Sequence, residues 1–86
     1  MYYQVDFLYE GELIAVEMKN YTHPNDPVML VLIAEAISYA LKNHGIKNID
    51  YEKITSITMY QTEDLNQDWV YICQYDTKSV YNLSEE

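Results

Sequence analysis

Few side chains in this sequence are of types that do chemistry. His23, His44 and Cys73 are the soft ligands, Asp64 to Asp68 is a run of oxygen ligands, and Glu12 with Glu17 or Glu63 with Asp64 could form acid–base pairs. The segment Asp64-Leu65-Asn66-Gln67-Asp68 opens like a calcium-binding EF-hand loop. It then departs from that pattern twice. The sixth position, normally glycine, is Trp69, and the twelfth, normally a bidentate glutamate, is Tyr75. The run reads as an acidic hairpin loop. A zinc site needs three or four ligands with short internal spacing, and His23, His44 and Cys73 share none. Cys73 sits in an apolar, strand-like run with Asp68 and Asp76 along the chain, which disfavours its thiolate and hence a nucleophilic role. With 14 acidic side chains in 86 residues, neighbouring carboxylates are unavoidable and do not single out an acid–base couple. The chain has two glycines, one needed by a turn and one by a helix end, which leaves none for a phosphate-cradling loop. The expectation is a protein that is not an enzyme, with no catalytic residue, no metal site and no cofactor.

Charge narrows the partner classes. The basic complement is five lysines and no arginine, for a net charge of -9. Arginine supplies the planar fork that clamps phosphates and reads guanine edges, and a polyanion repels other polyanions. Nucleic acid and anionic membranes are therefore not expected partners. The single cysteine suits a reducing compartment. No basic, apolar leader opens the sequence, and the longest apolar run, Val28 to Ala34, falls far short of the roughly 20 residues of a membrane span. A cytoplasmic location is expected.

The elements that must position these residues follow from the pattern. Tyr2 to Tyr9 and Glu12 to Lys19 alternate around Glu10-Gly11, a hairpin signal. Pairing Tyr9 with Glu12 sets Phe7 opposite Ile14, Val5 opposite Val16 and Tyr3 opposite Met18, all on one face, and leaves a mostly polar reverse face. Slipping by one residue would invert every side chain. Asp26 reads as an N-cap, Pro27 as the first helical residue and Gly45 as the terminating glycine. Between them Leu30, Ile33, Ala34, Ile37, Ala40 and Leu41 form the core stripe. Lys53 to Gln61 and Trp69 to Tyr75 read as a second hairpin. Pairing Gln61 with Asp68 there puts Met59 opposite Val70 and Ile57 opposite Ile72. The reverse face then carries Tyr60 beside Trp69, Thr58 beside Tyr71, Ser56 beside Cys73 and Ile54 beside Tyr75. The predicted fold is α+β in the order β-β-α-β-β: a four-stranded antiparallel sheet of two hairpins with one helix on one face. Residues 1–86 form a single domain, with 76–86 expected as a flexible or loosely packed acidic tail.

Two surfaces stand out. Val28, Val31, Leu32 and Tyr39 lie on the flank or back of the helix, to be covered by the loop, by the tail, by a partner or by a second copy of the chain. Tyr60, Trp69, Tyr71 and Tyr75 are expected on the outer sheet face, with Glu63, Asp64 and Asp68 at the hairpin tip. Tyr and Trp are enriched at binding hot spots, although they also favour strands. These features suggest a small acidic protein-interaction module that docks on a basic surface of a nucleic-acid-processing protein. A phage or mobile-element inhibitor of the DNA-mimic or anti-defence type would behave so. The alternative is a homodimeric structural or accessory protein whose self-interface is Val28, Val31, Leu32 and Tyr39.

Overall fold

The computed structural model describes residues 1–81. Strand β1 (Tyr2–Tyr9) and strand β2 (Glu12–Met18) form the first hairpin. Its register is the expected one, from Tyr3 opposite Met18 through Val5–Val16 and Phe7–Ile14 to Tyr9–Glu12. Both turn residues take positive φ, 53° at Glu10 and 85° at Gly11, the signature of a I′ turn whose twist matches that of the strands. Glu10 tolerates this left-handed conformation with two ties to Lys53: its backbone N–H donates to the Lys53 carbonyl, and its carboxylate pairs with Lys53 Nζ at 2.7 Å.

Helix α1 (Pro27–Asn43) begins and ends as the sequence predicts. The Asp26 side chain accepts from Val28 N–H at 2.9 Å, and proline occupies the first turn, where its missing N–H costs nothing. At the other end Gly45 takes φ 83°. The Ile46 N–H donates to Leu41 O and the Gly45 N–H to Lys42 O, a Schellman closure that satisfies two orphan carbonyls. The His44 ring meets the Ala40 carbonyl at 3.0 Å. The buried stripe is Met29, Ile33, Ile37, Ala40 and Leu41. Leu30 and Ala34, expected at its centre, are only partly buried, so the helix is rotated to bring Met29 into the core.

A single 3-10 turn (Tyr51–Lys53) leads into strand β3 (Ile54–Thr62), which is followed by β4 (Val70–Tyr75) and a short second helix, α2 (Thr77–Tyr81). The four strands form one sheet in the order β2-β1-β3-β4, every neighbour antiparallel, with α1 packed on one face. The α+β architecture is thus as expected, with one more short helix. Val5, Phe7, Ile14, Ile54, Ile57 and Met59 from the sheet meet the α1 stripe in one core.

The second hairpin departs from its predicted register. Gln61 pairs with Val70 rather than Asp68, and Tyr60 with Tyr71, so Trp69 falls just before the strand. A bulge follows, because Met59 next pairs with Cys73 and leaves Ile72 as the extra residue. Beyond it Ile57 pairs with Tyr75. A second bulge lies in β3, where the pairing passes from Asp6–Thr58 to Leu8–Thr55. Ser56, at φ 56°, supplies the left-handed residue. These bulges each reset the two-residue alternation. Ile54, predicted on the outer face, joins Ile57 and Met59 in the core. Tyr75 and Cys73 turn to the helix side, where both pack against the core. Of the expected tail, residues 77–81 form α2 with Val80 buried, and 82–86 lie outside the described residues. Among the described residues no helix is long and apolar enough to cross a membrane.

Candidate interaction face

The side of the sheet away from α1 carries the alternate residues of each strand. Read across from β2 to β4, one row is Glu17, Gln4, Tyr60 and Tyr71, and the next is Ala15, Asp6, Thr58 and Gln74. The Tyr60 and Tyr71 rings meet edge to face, their centroids 6.3 Å apart and their planes at 76°. That geometry matches the quadrupole preference of aromatic pairs. Tyr71 is 57% exposed. Gln4 Nε2 donates to Asp6 Oδ1 at 2.7 Å, which orients the carboxylate along the face. All five lysines lie outside the four strands. Charged side chains within the strands are thus carboxylates alone: Asp6, Glu12 and Glu17.

The tip between β3 and β4 is a tight turn built on Asp64. Its Oδ1 accepts from Asn66 N–H at 3.0 Å, its carbonyl accepts from Gln67 N–H at 2.8 Å, and Thr62 Oγ1 donates to the same carbonyl at 2.8 Å. Asp64 is therefore engaged by its own loop, while Glu63 and Asp68 are exposed beside it. Among the described residues no cluster of three or more His, Cys, Asp or Glu could hold a metal.

Of the four aromatics expected to share this face, Tyr60 and Tyr71 do, and Trp69 stands half-buried at its margin. Tyr75 does not. The bulge at Ile72 turns it to the other side of the sheet, where its hydroxyl donates to the Pro24 carbonyl at 3.1 Å and ties the loop before α1 to β4. Sequence reasoning missed Tyr2, which is exposed on the outer face opposite Thr62. The first-hairpin register already carried the signal, because Tyr2 shares the parity of Gln4 and Asp6.

The helix surface divides in the same way. Val28, Val31 and Tyr39 are exposed at 54%, 56% and 56%, whereas Leu32 packs partly against the core. Helix α2 contacts α1, and Tyr81 stacks at a tilt on Tyr51 of the 3-10 turn, with ring centroids 4.6 Å apart. The three exposed side chains remain open. Between β2 and α1 runs a groove of about 170 Å³ that includes Val16, Met18, Leu32, Ala36 and Tyr39 in its walls. Lys19 Nζ lies 5.8 Å from the Tyr39 ring centroid, a cation–π contact at its rim.

The groups whose acidity the fold shifts move away from neutrality. Burial raises the Tyr21 hydroxyl, with Tyr3 and Cys73 adding to it, and Tyr21 stacks flat on Tyr3. Burial, reinforced by the Cys73 thiol, holds Tyr75 far above the usual phenol range. Burial pushes Tyr81 up to about 12 against an opposing contribution from Ser38, and its hydroxyl has no geometric hydrogen-bond partner among the described residues. The Lys53 ammonium is raised by its hydrogen bond to Glu10. No protein-family model, curated protein or solved structure matches this chain.

Proposed function

We propose that this protein is an acidic, non-catalytic interaction module of the cytoplasm that docks its outer sheet face on a basic surface of another protein. A nucleic-acid-processing protein is the partner class such a surface fits best, and inhibition by imitating the charge of DNA is the corresponding role for a phage or mobile-element product. The observation that carries this reading is the composition of the face. An edge-to-face pair, exposed Tyr71 on half-buried Tyr60, stands beside Asp6 and Glu17 with no lysine on any strand. Aromatic anchors supply desolvated contact area at little entropic cost, and surrounding carboxylates accelerate encounter with a cationic patch. Glu63 and Asp68 extend the acidic rim at the tip, and Trp69 borders it.

The test is capture of partners from host lysate at low and high salt, followed by Tyr71→Ala in the same assay. Loss of a basic partner on raising salt, and a drop of roughly tenfold or more in its affinity for Tyr71→Ala, are expected. A partner retained equally by the variant would refute the face. A second reading, a homodimer through α1, is favoured by the joint exposure of Val28, Val31 and Tyr39. Sedimentation of the parent protein beside Val31→Glu tests it: a parent monomer at high micromolar concentration excludes it.

A further inference from the structure

We infer that the free edge of β2 takes an extended partner segment of alternating basic and apolar residues as a fifth strand of the sheet. This rests on the reading of a basic protein partner and names a second mode of contact with it. The two edges of the sheet differ. The β4 edge is six residues long, is bulged at Ile72 and runs almost directly into α2, devices that discourage strand addition. β2 pairs with β1 over seven consecutive residues without a shift, and contains neither proline nor glycine.

The hairpin geometry fixes which groups are free. A I′ turn closes on a hydrogen-bonded pair, here Tyr9 and Glu12, and bonded pairs recur at every second position. Glu12, Ile14, Val16 and Met18 therefore bond to β1. The N–H and C=O groups of Leu13, Ala15 and Glu17 point away from the sheet, and all three residues are exposed. An added strand would set alternate side chains on its two faces. One set would enter the groove between β2 and α1, whose walls include Leu32, Ala36 and Tyr39. The other would lie on the outer face beside Ala15 and Glu17.

Charge selects the occupant. Glu12 and Glu17 lie on the strand and Glu35 lines the groove, while Lys19, just past the strand, is drawn over the Tyr39 ring. A second copy would place the same carboxylates against one another in a pair of chains each carrying -9. A segment with Lys or Arg opposite Glu17 and an aliphatic residue facing the groove satisfies both surfaces, because opposite charges directly across strands stabilise a sheet.

The experiment uses the full chain and a short synthetic peptide alternating lysine and valine, followed by backbone amide shifts and hydrogen exchange. Expected are slowed exchange at Leu13, Ala15 and Glu17, and shifts confined to β2 and the facing flank of α1. Ala15→Pro removes an outward N–H without touching a β1 bond and should weaken the peptide roughly tenfold or more. Glu17→Lys, at an exposed position, should do the same and reverse the preference toward a glutamate–valine peptide, which keeps the test decisive if the proline variant does not fold. Equal affinity for the parent and Glu17→Lys would overturn the inference, as would equal binding of the glutamate–valine peptide or no binding at all. Shifts centred on Tyr60 and Tyr71 would remove the edge while leaving the basic-partner reading intact. Protection of the same three amides in a peptide-free dimer would make the occupant a second copy and overturn the choice of partner. Tyr71→Ala should leave peptide binding at β2 unchanged, so that failure there and failure of the outer face are read separately.

Discussion

Deleting Ser56 should leave the fold standing, whereas deleting Thr58, two residues on in the same strand, should cripple it. In β3 both Ser56 and Ile57 lie opposite Phe7, and Ser56 takes up the surplus at φ 56°. Removing it leaves Ile54, Thr55 and Ile57 to face Tyr9, Leu8 and Phe7 in plain alternation, with Ile54 and Ile57 still on the core side. The deletion also removes a non-glycine residue from a conformation that costs roughly 1–2 kcal/mol, against the loss of the Thr58 Oγ1 hydrogen bond to the Ser56 carbonyl, worth about 1 kcal/mol. The net change should lie within about 1 kcal/mol of zero. Deleting Thr58 instead moves Ile57, fully buried, to the outer position and Ser56 into the core. Losing the burial of an isoleucine costs about 1.5–3 kcal/mol and burying an unpaired hydroxyl about 1–3 kcal/mol more. The sum, roughly 2.5–6 kcal/mol, is set against a total stability of about 4–13 kcal/mol for 86 residues. Urea unfolding followed by circular dichroism should place the midpoint of the Ser56 deletion near the parent's and leave that of the Thr58 deletion far below it or absent. Equal destabilisation by the two deletions would refute the assignment of Ser56 as the surplus residue.

Alkaline pH should unfold the protein through its tyrosines. Burial holds the folded pKa values of Tyr21, Tyr75 and Tyr81 above the ordinary phenol value of about 10, with Tyr81 at about 12, so the stability they contribute is complete below about pH 10 and is lost as pH rises through the folded values. Tyrosinate absorbance should show the Tyr21, Tyr75 and Tyr81 phenols titrating late and together with loss of circular dichroism, and Tyr81→Phe should move that loss to higher pH. Asp26→Ala removes the cap on Val28 N–H and should lower stability by about 1 kcal/mol in the same urea assay, while Asp26→Asn should recover most of it.

The first hairpin and the helix were legible in the sequence because their determinants are local. A two-residue loop fixes register by itself, and every pair from Tyr3–Met18 to Tyr9–Glu12 followed from placing Glu10-Gly11 in the turn. Asp26, Pro27 and Gly45 act on backbone groups within a turn of themselves, so they mark the helix limits without reference to the rest of the chain. The second hairpin was not legible, because its alternation is broken at Ser56 and Ile72 by residues with no turn signature. Serine in place of glycine at a left-handed position is held there by β1 on the neighbouring strand, and only the tertiary pairing of β3 with β1 reveals it. The candidate face divides along the same line. Tyr60 and Tyr71 precede the β4 bulge and kept their predicted side, while Tyr75 lies beyond it and was turned inward to the Pro24 carbonyl. Composition alone determined the acidity and the lack of arginine. The placing of every lysine off the strands was decided by which segments the fold made into sheet, since the side of a strand a residue faces depends on all the pairings between it and the nearest turn.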